Sequence, residues 1–506
     1  MMPFILVLIL ASGAVTAYLP LSERRIRDLG VVVAAVSSVL AVYIALPAFG
    51  VFVGEQSLVT GPTGVFGPGS LWYLDSLAAM MLSLIALISL SSAVISHRYL
   101  AHEFREKIVS LTDIRHYYSM VPLFVASMYV ATLSNNVGLL WIALEATTLS
   151  TTLLVAFYRK RSAIEAAWKY VLLCSLGISL GLVGVLLITY AAGQNGANSS
   201  LLLSTFRDIV AAGGVNTDLI KWAFVFLFIG IGTKVGFVPM HAWLPDAHSK
   251  TPSPVSALLS GTLLNVAFVS LLRFRQVTDM ALMDDGAWTG KFFLVFGCLS
   301  IVVPALIMVI QKNYKRLLAY SSIEHMGLMA FAIGLGPAGI IPAVMHLPGH
   351  ALLKSSLFVG AGEIFLTYKT TDSAPVTDVW KRLPKTAVLF LLTLLMLLAV
   401  PPSAVFVSEM IMVGFGLRDY LLPTLLVVVA LTVVFVAMLR HIYTMFFSAP
   451  TVNTVLTNGA VEKWNVTHVV MTIQLIAAAV LGIFYLTPKG LEIMVGIAQS
   501  LNSGLL

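Results

Sequence analysis

Stretches of about 20 predominantly apolar residues recur along the whole chain. A helix of that length crosses the hydrocarbon core of a bilayer, and inside lipid a helix satisfies all of its own backbone hydrogen-bonding groups. The pattern predicts an all-α, polytopic membrane protein. The predicted spans number fourteen and lie at 2–20, 29–50, 71–95, 117–135, 136–157, 164–191, 219–240, 254–275, 292–311, 316–335, 338–366, 386–416, 420–446 and 466–487.

The composition excludes an ordinary soluble protein. The 506 residues are 59% hydrophobic and 10% charged, whereas soluble domains average about 25% charged residues. The net charge of +7 does not indicate nucleic acid, because the basic residues fall in loops between spans. Cys174 and Cys298 both lie inside apolar runs, so we expect no disulfide and no iron–sulfur ligand set.

Lysine and arginine set the orientation of the bundle. They concentrate in loops that follow odd-numbered spans, such as Arg24, Arg25 and Arg27 after the first span. Basic loops stay in the cytoplasm, so both termini are predicted on the non-cytoplasmic side of the cell's inner membrane. The first span lacks the positive n-region of a cleaved signal peptide, and we interpret it as a retained helix.

Charged residues inside the spans are the strongest functional signal. A lone charge at the centre of a membrane helix costs roughly 2.5 to 3.5 kcal/mol on insertion scales. Structural ion pairing or snorkelling is the alternative interpretation, and snorkelling suits Lys169 because it lies near a cytoplasmic helix end. Glu145 and Lys234 lie too deep in their predicted spans for their side chains to reach the membrane interface. The six residues are Glu145, Lys169, Lys234, Glu324, Lys354 and Glu409.

Two of the predicted spans contain helix breakers beside these charges. Gly236 and Pro239 follow Lys234 in the seventh span, and Pro401 and Pro402 precede Glu409 in the twelfth. Proline removes a backbone donor, and unpaired backbone at membrane depth occurs only where it is buried in protein or lines a wet cavity. The pattern predicts broken helices 7 and 12 with an ion path beside them.

The spacing of the charges indicates an internal repeat. The intervals from 145 to 324, 169 to 354 and 234 to 409 are nearly equal. We predict two inverted five-helix repeats, 117–275 (helices 4–8) and 292–446 (helices 9–13). They are preceded by N-terminal helices 1–3 in 1–116 and followed by the C-terminal helix 14 in 447–506.

Histidines accompany the charges of the second half. His346, His350 and Lys354 share one helix face, and Glu324 adjoins His325. Histidine titrates near neutral pH, so this pattern favours a proton relay over isolated packing residues.

Further polar residues follow the break in the seventh span. We assign His241 and His248 to the same proton path. A metal site of His241, Asp246 and His248 is the less favoured alternative. We expect instead a hydrated turn before an eighth helix capped by Thr251 and Ser253. Two further acidic residues, Asp75 and Glu363, lie near helix ends and are interpreted as interfacial.

Four stretches identify a family resemblance. The segments KVGFVPMHAWLPDAHSKTPSPVSALLSG from residue 234, LWIALEATTLS around Glu145, SSIEHMG and HALLKSSLF resemble the antiporter-like membrane subunits of respiratory complex I, Mrp sodium/proton antiporters and membrane-bound group 4 NiFe hydrogenases. The combination of IEHMG, HALLKSSLF and LLNVAF is most similar to the component F type of hydrogenase-4, from formate hydrogenlyase-type complexes.

The resemblance implies fourteen helices, inverted repeats and a central hydrophilic axis. It matches the family's fifth-helix glutamate to Glu145, its seventh-helix lysine to Lys234 and its twelfth-helix Lys or Glu to Glu409. Asn265 replaces the Lys or His frequent in the eighth helix, which puts one relay step in doubt. It also implies partners: other membrane subunits, and a soluble NiFe and iron–sulfur arm contacted directly or through them.

Three functions compete at this point. The first is a proton-translocating subunit of a redox complex, either a hydrogenase or a complex I-like dehydrogenase. In it, Lys234, held charged by Glu145, passes protons toward Glu409 through the histidines. The others are a sodium/proton antiporter module and an inert scaffold. We expect no redox cofactor, no metal and no catalytic redox centre in the chain itself.

Overall fold

A computed structural model describes residues 2–49, 70–193, 201–211, 215–283, 286–449 and 462–502. Within these ranges the chain forms helices and connecting loops, and no β-strand longer than an isolated bridge is present. Two compact units are formed. The first comprises Met1–Gly236, Thr262–Lys291 and Ile493–Leu506, and the second comprises Phe237–Gly261 and Phe292–Glu492.

The described residues contain twenty α-helices. They are α1 (Met2–Thr16), α2 (Glu23–Ala45), α3 (Ser76–Arg105), α4 (Leu111–Leu133), α5 (Val137–Val155), α6 (Arg161–Gly193), α7 (Leu203–Ala211), α8 (Thr217–Val235), α9 (Trp243–Lys250), α10 (Ser253–Leu258), α11 (Leu264–Leu282), α12 (Ala287–Ile310), α13 (Tyr314–Gly334), α14 (Ile340–Tyr368), α15 (Val379–Arg382), α16 (Pro384–Leu397), α17 (Ala404–Asp419), α18 (Leu421–Phe447), α19 (Val466–Tyr485) and α20 (Pro488–Asn502).

The predicted all-α membrane fold is confirmed. Every predicted span coincides with one helix or with a successive pair, α10 and α11 or α16 and α17. In the described ranges, 10 helical segments are long and apolar enough to cross a membrane, and α1 and α16 are shorter apolar helices. The count of fourteen crossings and the inverted repeats stay predictions. Short helices α7, α9 and α15 and the C-terminal α20 were not predicted.

Inner and outer helices differ in how much of their side-chain surface is buried. All residues of α13 except Arg316 are buried. Outer helices instead expose large apolar side chains, including Val39 on α2 and Leu422 on α18, which is 78% exposed. Apolar surface of this kind is stable against lipid, so these faces suit a bilayer and not water.

The predicted break after Lys234 is present. Helix α8 ends at Val235, and Gly236 adopts the left-handed conformation with φ of 89°, which glycine tolerates without a side-chain clash. The chain continues into a 3₁₀ turn at Met240–Ala242 and then into the mostly buried helix α9, which was not predicted; the hydration of this turn stays a prediction.

The start of the eighth predicted span also differs from expectation. No side-chain cap precedes α10, whose N-cap residue is Pro252. The Thr251 hydroxyl donates instead to the Ala247 carbonyl oxygen of α9 at 2.6 Å, so capping by Thr251 and Ser253 is wrong. A π-helical turn, Leu259–Leu263, then separates α10 from α11. This turn was not predicted.

The second predicted break lies between α16 and α17. Helix α16 ends at Leu397, ahead of Pro401 and Pro402, and α17 begins at Ala404. The Ser403 side chain caps α17 by accepting a hydrogen bond from the Val405 N–H. Glu409 therefore lies little more than one turn into a helix that begins inside the protein.

Close contact between α6 and α8 positions Lys234. A Cβ atom added at Gly230 would lie 2.5 Å from the Gly181 nitrogen, so only glycine allows these backbones to approach. Small residues serve the same purpose in many membrane helix pairs. Lys234 follows Gly230 by one helical turn and so faces the same neighbour.

Candidate functional site

The first unit buries Lys234 beside Glu145. Lys234 on α8 is 0% exposed, and its Nζ donates to the Thr148 Oγ1 of α5 at 2.5 Å. Thr148 Oγ1 lies 3.4 Å from Glu145 Oε2. The Thr148 hydroxyl therefore lies between the ammonium and the carboxylate.

Other polar groups complete this cluster. Ser175 on α6 donates to Glu145 Oε1 at 2.5 Å. Lys234 Nζ lies 5.7 Å from the ring centroid of Tyr170, whose hydroxyl lies 2.6 Å from Thr151 Oγ1. An aromatic face and several hydroxyls thus surround the ammonium, and these groups can stabilise a cation without neutralising it.

Lys169 does not join this cluster. Its side chain is 49% exposed on α6, and Nζ forms an i,i+4 ion pair with Glu165 at 2.8 Å. This position favours the snorkelling alternative, and the assignment of Lys169 to the proton path stays a prediction. The side chain lies on the outer face of α6, as the snorkelling alternative requires.

The second unit contains a chain of buried imidazoles. His325 Nδ1 on α13 lies 3.0 Å from His346 Nε2 on α14, and His346 Nδ1 lies 2.9 Å from Ser408 Oγ on α17. The His350 ring centroid lies 5.4 Å from that of His325. Both His350 nitrogens lack a hydrogen-bond partner in the described residues. The sequence-predicted histidines of α13 and α14 are therefore brought together.

Lys354 extends this group along α14. Its Nζ donates to the Leu318 carbonyl oxygen at 3.1 Å and to the Ser321 hydroxyl. Glu324 Oε2 lies 3.6 Å from His325 Nε2. Lys354 and Glu324 are both buried. Lys354 contacts the turn of α13 that precedes Glu324, and Glu324 contacts His325.

The imidazole group lies beside a cavity, and Glu409 is one of the residues that line it. A cavity of about 420 Å³ is lined by Glu324, His325 and Glu409 together with apolar residues of α17 and α18. Glu409 is 9% exposed. One nitrogen of His325, one of His346 and a Glu409 carboxylate oxygen lie within 4.8 Å of one another.

His241 and His248 lie in the second unit outside the His325–His346–Ser408 chain, and His248 lies beside Phe358, one turn after Lys354 on α14. The His241 ring approaches Tyr320 edge-on at 6.3 Å, and the His248 ring stacks on Phe358 at 4.7 Å. Asp246 forms an ion pair with Arg316 at 3.3 Å. Among the described residues, the His, Cys, Asp and Glu side chains close enough to share a metal ion do not include His241, Asp246 and His248. The alternative metal site therefore gains no support.

The remaining polar residues have structural roles. Asp75 caps α3 by accepting the Ala78 N–H at 2.8 Å and forms a bidentate pair with Arg273 of α11. Burial alone would raise the pKa of Asp75, but the Arg273 guanidinium outweighs it and holds that pKa below its usual value. Glu363 Oε1 accepts the Thr467 hydroxyl at 2.6 Å. Asn265 is fully buried on α11, just after the π-helical turn.

Hydroxyl groups were the part of the site that sequence reasoning missed. Thr148, Ser175 and Ser408 each join a charged or imidazole side chain to another element. The available signal was helical spacing, because Thr148 follows Glu145 by three residues and so lies on the same face of α5.

Curated relatives include hydrogenase components. The chain is 36% identical over 349 residues to the hydrogenase-4 component F homolog of Methylacidiphilum infernorum (isolate V4), covering 69% of this chain and 73% of that one. It is 29% identical over 348 residues to hydrogenase-4 component B of Escherichia coli (strain K12), covering 66% of this chain. The chain spans only 49% of component B.

Solved structures share the fold over the full length. A chain of the membrane-bound sulfane sulfur reductase, an archaeal respiratory membrane complex, matches with a TM-score of 0.82 at 23% identity, covering 100% of this chain and 98% of that one. The family model described as NADH:quinone oxidoreductase/Mrp antiporter, TM, matches residues 134–436. That match contains every charged or histidine side chain of the two buried clusters, and the chain belongs to this family of antiporter-like membrane proteins.

Proposed function

We propose that the chain is a proton-translocating membrane subunit of a multisubunit redox complex. The observation that carries this proposal is the fully buried Lys234, hydrogen-bonded to a hydroxyl that also approaches Glu145. A buried ammonium is costly, and a neutral packing residue would be cheaper at this position. Retaining the lysine suits a group that must exchange a proton.

The geometry of the first cluster supports proton exchange. The Thr148 hydroxyl can accept a hydrogen bond from Lys234 and donate one to Glu145 at the same time. The lysine, hydroxyl and carboxylate therefore form a short path along which a proton can shift. Since α8 ends at Val235, Lys234 lies beside a helix end whose backbone can move more easily than a continuous helix.

The second cluster supports the same chemistry. An imidazole accepts a proton at one nitrogen and releases it from the other, so the His325–His346–Ser408 chain can pass protons in either direction. The buried Glu324 Oε1 and both His350 nitrogens have no protein partner among the described residues. Such atoms are uncommon in native interiors and are frequent where function requires them.

A hydrogenase-type complex is the redox assembly that the relatives favour. The relatives named above are hydrogenase-4 components. We infer that the partners are other membrane subunits and a soluble NiFe and iron–sulfur arm, contacted directly or through those subunits. The inferred location is the cytoplasmic membrane with both termini on the non-cytoplasmic side, and the inferred architecture retains two inverted repeats.

A sodium/proton antiporter module is the second candidate, as is a subunit of a complex I-like dehydrogenase. The family description includes both. The cavity beside Glu324 and Glu409 provides two carboxylates for a cation. Sodium prefers several oxygen ligands, however, and imidazole and ammonium groups dominate the two clusters. This ligand chemistry favours protons.

Purification in mild detergent followed by reconstitution tests the proposal. Co-purified subunits are identified by mass spectrometry, and the complex is driven in liposomes with reduced methyl viologen as an artificial electron donor. We expect NiFe and iron–sulfur subunits and proton movement in sodium-free buffer. Strict dependence on sodium, with only small hydrophobic subunits co-purifying, would support the antiporter instead.

A further inference from the structure

The imidazole group of the second unit has the donor set of a transition-metal site. One nitrogen each of His325 and His346 and one carboxylate oxygen of Glu409 lie within 4.8 Å of one another. These residues come from α13, α14 and α17, so three separate helices hold the three donors. Two imidazoles and a carboxylate form a typical ligand set for zinc, and zinc binds such sets tetrahedrally.

The spacing of the donors requires little movement for metal binding. His325 Nδ1 and His346 Nε2 are 3.0 Å apart. Zinc–nitrogen bonds of 2.0–2.1 Å place neighbouring donors of a tetrahedral site about 3.3 Å apart. The Glu409 carboxylate accepts no hydrogen bond from a described residue and lines the open cavity, so its side chain can turn toward the two rings.

The surroundings supply what a bound metal also needs. His346 is oriented through its other nitrogen by the Ser408 hydroxyl, as metal-binding histidines are commonly oriented by a second hydrogen bond. Glu324 is 1% exposed, lines the same cavity and has an Oε1 without a protein partner in the described residues. Its Oε2 lies 3.6 Å from His325 Nε2, so Glu324 can orient the His325 ring as Ser408 orients His346. The cavity of about 420 Å³ provides an entry path.

We propose that His325, His346 and Glu409 form a binding site for a divalent transition metal of the zinc class, with the fourth coordination position open to the cavity. Hard cations such as Mg²⁺ and Ca²⁺ are disfavoured, because they select oxygen ligands. Binding converts the hydrogen bond between the two imidazoles into two metal–nitrogen bonds, and the proton between the rings moves to the other nitrogen of its imidazole or is released to solvent. A bound metal consequently blocks proton transfer through His325 and His346. That last consequence rests on the proposed function, whereas the binding itself does not.

Titration of the purified complex with ZnCl₂ tests the site. Isothermal calorimetry should show one more zinc site in wild type than in His346→Gln or in Glu409→Gln. X-ray absorption at the zinc edge should show nitrogen and oxygen ligands without sulfur. Changes in the second shell already weaken metal sites about 10–100-fold, so loss of a direct ligand should weaken this one by at least ~100-fold. His116→Gln is the matched control, because it removes an imidazole that is exposed on α4 and outside the cluster.

The outcomes separate the metal site from the proposed function. Zinc affinity that is equal in wild type, His346→Gln and Glu409→Gln would overturn the site, as would loss of zinc binding in His116→Gln alone. If His346→Gln does not assemble, Glu409→Gln decides, because that change keeps the size of the side chain. Binding is measured without an electron donor. Normal zinc binding in a complex that moves no protons would therefore leave the site standing and refute the proposed function only.

Discussion

At Lys234 the chain holds an ammonium group that donates to a hydroxyl and not directly to a carboxylate. The difference matters at the scale of single residues, because the Thr148 hydroxyl determines the strength of the electrostatic interaction between Lys234 and Glu145. The same arrangement occurs at His346, where Ser408 provides the hydroxyl. Within each unit, a small polar side chain therefore contacts a lysine or histidine side chain of the cluster.

Replacing Thr148 with valine should slow proton transfer. Valine keeps the shape of the side chain but leaves the buried ammonium without its hydrogen-bond acceptor, at a cost of about 1–3 kcal/mol. A penalty of that size corresponds to a loss of about tenfold in rate for each 1.4 kcal/mol. The initial rate of proton uptake by reconstituted vesicles measures it. Thr148→Ser retains the hydroxyl and should keep most of the rate; equal rates in both variants would argue against the link.

Neutralising Lys169 should have little effect. The side chain is half-exposed and pairs with Glu165 on the same helix, and exposed pairs of this kind contribute about 0–1 kcal/mol. We expect Lys169→Gln to assemble and to take up protons at the wild-type rate. A loss comparable to that of Thr148→Val would show that Lys169 lies on the proton path after all.

At the scale of elements, close helix contacts and broken helices place the buried groups. The Gly230 and Gly181 backbones touch between α6 and α8, and α8 ends immediately after Lys234. Helix positions, both breaks and the clustering of histidines on α13 and α14 were predictable, because apolar length, proline and helical spacing are local signals. The hydroxyl link, the π-helical turn and the outward position of Lys169 depend on how helices rotate against one another, which local patterns do not fix.

Gly230→Ala should destabilise the contact between α6 and α8. The added Cβ atom would lie 2.5 Å from the Gly181 nitrogen and 2.7 Å from the Gly177 carbonyl oxygen, both backbone atoms. Overpacking of this kind costs about 1–3 kcal/mol. Gly414→Ala on α17 is the control, since nothing lies within 4 Å of its added Cβ. Thermal unfolding in detergent should shift downward for Gly230→Ala alone, and equal midpoints would contradict the packing argument.

The Asp75–Arg273 pair between α3 and α11 should give a pH-dependent stability. Arg273 holds the folded-state pKa of Asp75 below its usual value. The stabilisation is therefore complete above the unfolded pKa of about 3.9 and is lost as pH falls through the folded pKa. Asp75→Asn should cost about 3–5 kcal/mol at neutral pH, because it leaves a buried guanidinium unpaired. Thermal unfolding of both proteins from pH 7 to pH 3 should show the difference shrinking only below about pH 4; a constant difference would refute this role.

At the scale of the whole molecule, each of two compact units carries its own buried polar cluster. One contains a lysine, a glutamate and hydroxyls, and the other contains imidazoles, a lysine and two glutamates. The resemblance read from the sequence is confirmed by the match to the antiporter-like family over residues 134–436. Membership of that family explains why so apolar a chain retains these charges, since a scaffold would be more stable without them.

Proton uptake by vesicles that carry Lys234→Met together with Glu145→Gln tests the central claim most directly. Methionine keeps a long flexible side chain without the exchangeable proton, so the complex should assemble and electron transfer should continue. We predict that proton uptake is abolished in Lys234→Met and in the double variant. If the two residues only stabilise each other, the single variant would assemble poorly and the double variant would recover. Normal proton uptake by the assembled double variant would contradict the account.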